Sequence, residues 1–256
     1  MLILGIDLEG MNEDLVFSGV NTKVDRVTEI GAVLWDTRVN LPVKFFSELT
    51  KESDLLPMTE EVIELTGIDH QLLDDWALEG EQIKMALERL ALIIKKADYL
   101  MAHNGNHYDR PMLTAMYERY GLTIPDKVWI DTQNDIEFPK KIGHRSMAAL
   151  EHAHGFINPF PHRAITDVLS MLKVASNYDY ERMAMLARSP KIKIVACLDA
   201  PNWKNHHQVE IFNKKKNKVA RAKFKWDPSA KEWAKMVHQV HIEEGLLNYD
   251  FEWELA

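Results

Sequence analysis

The chain opens MLILGIDLEG at residues 1–10, and the reading of this stretch decides the architecture. Leu2, Ile3, Leu4, Gly5 and Ile6 form an unbroken apolar run, the pattern of a strand covered on both faces and so of a sheet with helices on each side. Asp7 ends the run, and Glu9 follows two residues later. Side chains alternate along a strand, so this spacing puts both carboxylates on one face at the strand exit, where they can share a metal ion. Taken alone, Asp-x-Glu also describes the ordinary solvated end of a strand.

Downstream, residues 27–35 read as a second strand, with Ile30, Ala32 and Leu34 alternating against Glu29, Gly31 and Val33, and residues 44–49 as a third. The polar stretch 11–26 between the first two reads as a loop. Ile83, Leu87, Leu90 and Ile94 recur at helical spacing and lead into a short strand at 99–102. Asp109 is placed to cap a further helix, with Pro111 in its first turn. A fifth strand reads at 128–131, and after Pro159 and Pro161 a last helix carries Ile165, Val168, Leu169, Leu172 and Ala175. Strands in succession, then strands alternating with helices, describe an α/β domain over residues 1–188, with Ser189-Pro190 as its boundary.

A chain of 256 residues with 46% hydrophobic content suits one full core plus an appendage. No apolar run reaches the roughly 18 residues that cross a bilayer, and the start has neither a basic leader nor a small-residue cleavage site. Cys197 is the sole cysteine, which excludes an internal disulfide and argues against a thiolate zinc site. The expectation is a folded cytoplasmic protein with no membrane partner. Its net charge of -8 is uneven: residues 1–190 carry 19 Lys+Arg against 30 Asp+Glu, a net -11, and residues 191–256 carry 12 against 9, a net +3. An acidic domain that acts on nucleic acid needs metal ions or a basic neighbour to offset its field.

Asp109 follows His103-Asn104 just after a predicted strand, and His162 precedes Asp167 by five residues. Singly, these are a helix cap, a loop histidine and a residue on a solvated helix face. Together with Asp7 and Glu9, in this order, spacing and context, they resemble the DnaQ-like or DEDDh family of 3′-to-5′ exonucleases. VTEIGA (27–32), LTGI (65–68) and Asp131-Thr132 agree with it, and the resemblance covers residues 2–176. It implies a ribonuclease-H-like mixed sheet flanked by helices and the release of nucleoside 5′-monophosphates. It also implies two divalent ions, Mg²⁺ or Mn²⁺, about 4 Å apart. Asp7 would bridge both, Glu9 and Asp167 would hold the one that binds the attacking water, and Asp109 would serve the leaving-group side, partly through water. His162 would be the general base, since histidine ordinarily titrates near neutrality and this one stands at a helix entry. Gly10, Met11 and Asn104 would contact nucleic acid. Two residues depart from the family pattern: Gly10 stands where Thr is common, which removes a hydroxyl beside the terminal nucleotide, and Tyr108 stands where Phe is common. His103, His107, His144, His152 and His154 have no companion ligand set and read as structural.

Residues 191–256 read as a small basic α+β module that starts with an alternating strand at Ile192, Ile194, Ala196 and Leu198. Seven basic residues and no acid lie between Phe212 and Trp226, including Lys214, Lys215, Lys216, Lys223 and Lys225. The run 224–228, with Lys231 and Trp233, resembles modules appended to some bacterial and phage exonucleases. Two readings stand: a single-strand platform in which Trp226 and Trp233 stack on bases, or a small core of Phe224, Trp226 and Trp233 beneath a solvated lysine face. Gln208-Val209-Glu210-Ile211-Phe212 resembles the Gln-x-x-Leu-Phe peptides that dock on bacterial sliding clamps, a polymerase-type partnership, and reads equally as a strand. DNA is the expected substrate. The rivals are an exoribonuclease, distinguished by its use of the 2′-hydroxyl, and a non-catalytic nuclease-fold binding subunit, which the full set of four acids and a histidine disfavours.

Overall fold

The computed structural model describes residues 1–256, the side chain of Val16 excepted. It divides into two compact units, residues 1–187 and 188–256. The first contains β1 (Leu2–Met11), α1 (Leu15–Ser18), β2 (Arg26–Asp36), β3 (Leu41–Leu49), α2 (Glu60–Thr66), α3 (His70–Trp76) and α4 (Glu81–Lys96). It continues with β4 (Tyr99–Ala102), α5 (Asp109–Arg119), β5 (Trp129–Asp131), α6 (Met147–Ala153), α7 (Ala164–Ala175) and α8 (Tyr180–Arg188). The sheet order is β3-β2-β1-β4-β5. The β1–β2 and β2–β3 pairs are antiparallel, and β1–β4 and β4–β5 are parallel.

The apolar run at 2–6 is buried from two sides, as a strand of this pattern requires. Leu4, Ile6 and Leu8 pack with Ile30, Ala32 and Leu34 against Ile83, Leu87 and Leu90 of α4 and Met112 of α5. On the other face Ile3, Val33 and Trp35 pack against Val168, Met171 and Leu172 of α7. Two glycines let α7 lie close on that face. A Cβ on Gly31 would stand 2.4 Å from the Ala164 carbonyl carbon, and one on Gly5 2.9 Å from Val168 Cγ1.

The structure corrects several boundaries. β1 does not end at Asp7 but runs to Met11, because β2 pairs with it that far, with a register shift between Glu9 and Gly10. Asp7 and Glu9 therefore lie within a strand, with fixed directions. The stretch 11–26 is not all loop, since it holds the tail of β1 and α1. Asp109 does not cap α5: it is the first helical residue, Tyr108 holds the cap position, and the Asp109 carboxylate turns instead to the Leu8 N–H. The short helices α2, α3, α6 and α8 have no counterpart in the periodicity. Their signals are local: Thr59 and Asp69 accept from Val62 N–H and Leu72 N–H, and Gly67 at φ +69° ends α2. The LTGI stretch is thus a helix stop.

The second unit contains β6 (Lys191–Ala196), α9 (His206–Arg221), β7 (Lys225–Asp227), β8 (Glu232–His238), α10 (Gln239–Glu243) and β9 (Trp253–Leu255). An antiparallel sheet in the order β7-β8-β6-β9 surrounds a core of Ile194, Ala196, Val219, Phe224 and Val237. Gln208–Phe212 is not a strand but the start of α9, whose first N–H groups at His207 and Gln208 are capped by Asn205. Among the described residues no helix is long and apolar enough to cross a membrane.

Candidate active site

Asp7 and Glu9 point from β1 toward the α7 side of the sheet, in register with Gly31 and Glu29 of β2. Asp109 is buried at the start of α5, and its Oδ1 accepts from Leu8 N–H at 3.1 Å. Asp167 sits one turn into α7, half-buried. Its Oδ2 accepts from His162 N–H at 2.9 Å and its Oδ1 from Asn158 Nδ2 at 2.6 Å. One oxygen each of Glu9 and Asp167 and one ring nitrogen of His162 all lie within 4.8 Å of one another. His162 is exposed and adopts φ +61°, a left-handed backbone that a non-glycine residue keeps only where its surroundings enforce it.

These carboxylates repel. Loss of water at Asp7, then Asp109, Glu9, Asp167 and Glu29 in turn, raises the Asp7 carboxyl well above its usual range. Burial, then Asp167, Glu29 and Asp109, pushes Glu9 up to about 8, with Arg163 opposing. Burial raises Asp109 to about 7, opposed by its own backbone N–H and that of Leu8. An all-oxygen donor set under this strain fits a hard divalent cation, which would relieve it.

A pH dependence follows. A carboxyl whose folded pKa exceeds its unfolded one favours the fold below the ordinary carboxylate range, and that contribution is lost as pH rises through 7 to 8 for Asp109 and Glu9. Mg²⁺ restores it by binding the ionised form. The difference in melting temperature between Mg²⁺ and EDTA is therefore expected to widen from pH 5 to pH 9. A gap independent of pH would remove these carboxyls from the cation site.

A cleft of about 670 Å³ beside Asp7 and Asp109 is lined by Tyr108, His103, Asn104 and His107 among others. Asn104 adopts φ +61°, and its N–H donates to Asp131 Oδ1 at 3.0 Å. His103 Nδ1 lies 2.9 Å from Thr132 Oγ1. Asp131-Thr132 therefore holds the loop that lines the cleft. The two departures at Gly10 and Tyr108 are one feature: a Cβ on Gly10 would stand 2.6 Å from Arg26 O and 2.8 Å from Tyr108 Oη. The tyrosine hydroxyl occupies the space a side chain at 10 would need, and it donates to Asn12 Oδ1 at 3.2 Å.

Met11 is corrected as a nucleic-acid contact. It is 2% exposed and packs with Met58, Ile68 and Leu73, so its side chain faces a small core. His154 is structural, with Nδ1 2.6 Å from Leu150 O and Nε2 2.8 Å from Tyr178 Oη. In the second unit Phe224 is core, Trp226 is 49% exposed and Trp233 is half-buried, which divides the two readings of the aromatics between them. Lys214, Lys215, Lys223 and Lys225 are exposed, Lys216 is half-buried, and Lys214 pairs with Glu210 at 2.7 Å. Residues that sequence reasoning missed are Glu29 and Asn158, which contact the 162–167 segment, and Arg163 within it, which binds Glu29. For Glu29 the signal was a charged residue on the inward face of a wholly buried strand.

A mixed sheet with helices on both faces and this cluster at β1 and α7 define a ribonuclease-H-like nuclease domain. The model of the RNase_T exonuclease family matches residues 5–175, and the chain belongs to that family. By that match it is an exonuclease. Among solved structures, the nuclease domain of 3′hExo, a DEDDh family member bound to rAMP, is similar at 18% identity and a TM-score of 0.55, over 69% of this chain and 90% of that one. A 3′-exonuclease solved for 3′-end specific recognition of histone mRNA stem-loop gives 18% identity and 0.54, over 69% and 80%. E. coli Exonuclease I in complex with a dA16 oligonucleotide gives 14% identity and 0.58, over 77% of this chain and 48% of that one. No curated protein matches the chain.

Proposed function

We propose that the chain removes nucleotides one at a time from the 3′ end of single-stranded DNA, releasing nucleoside 5′-monophosphates. The observation that supports this reading is the convergence of Glu9, His162 and Asp167 within 4.8 Å, next to Asp7 and Asp109. Asp7, Glu9, Asp109 and Asp167 would hold two divalent ions, with Mg²⁺ as the natural occupant and Mn²⁺ as a substitute. When bound, such ions neutralise charge on the scissile phosphate and ease deprotonation of water. His162 accepts the proton of the attacking water at a ring nitrogen. Its N–H contact to Asp167 fixes the peptide that carries the ring. Asn104 and the backbone at Gly10 face the terminal nucleotide.

One fold neighbour was solved with a dA16 oligonucleotide and another with rAMP, so the choice between DNA and RNA is what the first experiment decides. Matched oligonucleotides labelled at the 5′ end, as single-stranded DNA, duplex DNA and RNA, test it in Mg²⁺. A ladder shortening by single nucleotides, fastest on single-stranded DNA, is expected. Faster loss of RNA transfers the substrate to RNA, and internal cuts or no cuts remove the reading.

The second unit is proposed to hold the strand, since residues 191–256 carry +3 against -11 for the rest. Replacing Lys214, Lys215 and Lys216 with Ala is expected to weaken binding of all sequences alike and to flatten the salt dependence by up to about 2 in slope, at about 0.7 per phosphate contact. Unchanged affinity and slope assign the unit to a protein partner. Clamp docking in extended form would require unwinding α9, where Val209 and Phe212 are half-buried.

A further inference from the structure

We propose that Glu29 and Arg163 are positioning residues that lock the 162–167 segment over Glu9. The proposal rests on the reading of His162 and Asp167 given above. Glu29 is 1% exposed and lies directly across the β1–β2 ladder from Glu9. Like charges in such a pair oppose the pairing, and a carboxylate withdrawn from water needs partners. Those partners come from the start of α7. Arg163 Nη2 donates to Glu29 Oε1, and Arg163 Nε and Ala164 N–H both donate to Oε2, each at 3.0 Å. The guanidinium engages both carboxylate oxygens as a planar fork. The third bond places negative charge at the N-terminus of α7, where the helix dipole favours it.

Steric contact completes the lock. Gly31, two residues along on the same face, has no Cβ to keep the Ala164–Ile165 peptide away from β2. Charge at Arg163, a hydrogen bond at Ala164 and close backbone packing at Gly31 thus fix the first turn of α7 at three adjacent points. His162 immediately precedes that turn and holds its left-handed backbone there, while its N–H reaches Asp167. Loosening the anchor lets the base and Asp167 drift from Glu9, and a displacement near 1 Å reduces rates by about 10²-fold.

Glu29→Gln retains an acceptor for Ala164 N–H and loses the charged fork. At a temperature well below melting, its kcat is expected to fall about 10- to 100-fold with KM within about twofold of wild type. The rise in melting temperature on adding Mg²⁺ is expected to be smaller than in wild type. A core truncation in α4 on the opposite face, Leu90→Ala or the milder Ile93→Val, chosen to match the melting temperature of Glu29→Gln in EDTA, is expected to keep the wild-type kcat. Arg163→Ala carries the same expectation and serves if Glu29→Gln does not fold. Variants within twofold of an active wild type in kcat and equal to it in Mg²⁺ response overturn the positioning role alone. So does a matched core variant that loses as much kcat. A wild-type protein without exonuclease activity overturns the functional reading itself.

Discussion

Asp7→Asn is expected to lower nucleotide release by about 10²- to 10³-fold, while raising the melting temperature of the protein in EDTA. The two effects share a cause. Asp7 is half-buried, and partial loss of water together with Asp109, Glu9, Asp167 and Glu29 opposes its ionised form. Asparagine keeps the shape and discards the charge. Without cations the folded state loses a repulsion, and a gain of about 1 kcal/mol corresponds to about 2–4 °C in a protein of this size. With cations, one of the four carboxylates that would hold them is gone, and Mg²⁺ should stabilise the variant less than the wild type. Scanning calorimetry in EDTA and Mg²⁺, beside a 3′-end degradation assay, reads all three quantities. Release at a wild-type rate would take Asp7 out of the site. Lost activity with a lowered melting temperature in EDTA would point to damage to β1 instead.

His162→Ala is expected to reduce kcat by about 10²- to 10⁴-fold, the usual contribution of a placed base. Strand affinity and the Mg²⁺-induced gain in melting temperature should persist, since the four carboxylates remain. Position 162 has φ +61°, so alanine also strains the backbone, and His162→Asn separates the two effects because asparagine tolerates that region. Both variants should be equally slow. An asparagine variant near the wild-type rate would mean that backbone strain, and not the lost imidazole, slowed the alanine protein. Because the ring is exposed, added imidazole should enter the gap and restore part of the rate.

Asp7 and Glu9 are legible as a pair on one face because they lie two apart on a strand. Asp109, His162 and Asp167 enter only through the resemblance to linked family motifs, since singly they read as a cap, a loop histidine and a solvated helix residue. Glu29 is not legible as part of the site. It reads as one member of an alternating strand, and its partners Arg163 and Ala164 lie 134 and 135 residues away, a pairing that one sequence does not display. VTEIGA, LTGI and Asp131-Thr132 appear only as resemblances, and their reasons are three-dimensional: a seat for α7, a helix stop at Gly67 and a brace for Asn104. α9 escapes a periodicity reading because its inward line of Val209, Phe212, Lys216 and Val219 is interrupted by a lysine, and of these Val219 alone is fully buried. Met11 is misread because the continuation of β1 past the bulge is set by β2, not by its own neighbours.

The parallel pairing of β1 with β4 and the seating of α7 on β2 also set the order in which activity can appear. Leu8 meets Asp109 across 101 residues, and Glu29 meets Ala164 across 135. Loops of this length close late in folding, after local helices and the β1–β2–β3 antiparallel strands have formed. A chain emerging from the ribosome therefore cannot bring Asp7, Glu9, Asp109, His162 and Asp167 together until α7 (Ala164–Ala175) has left the exit tunnel and docked.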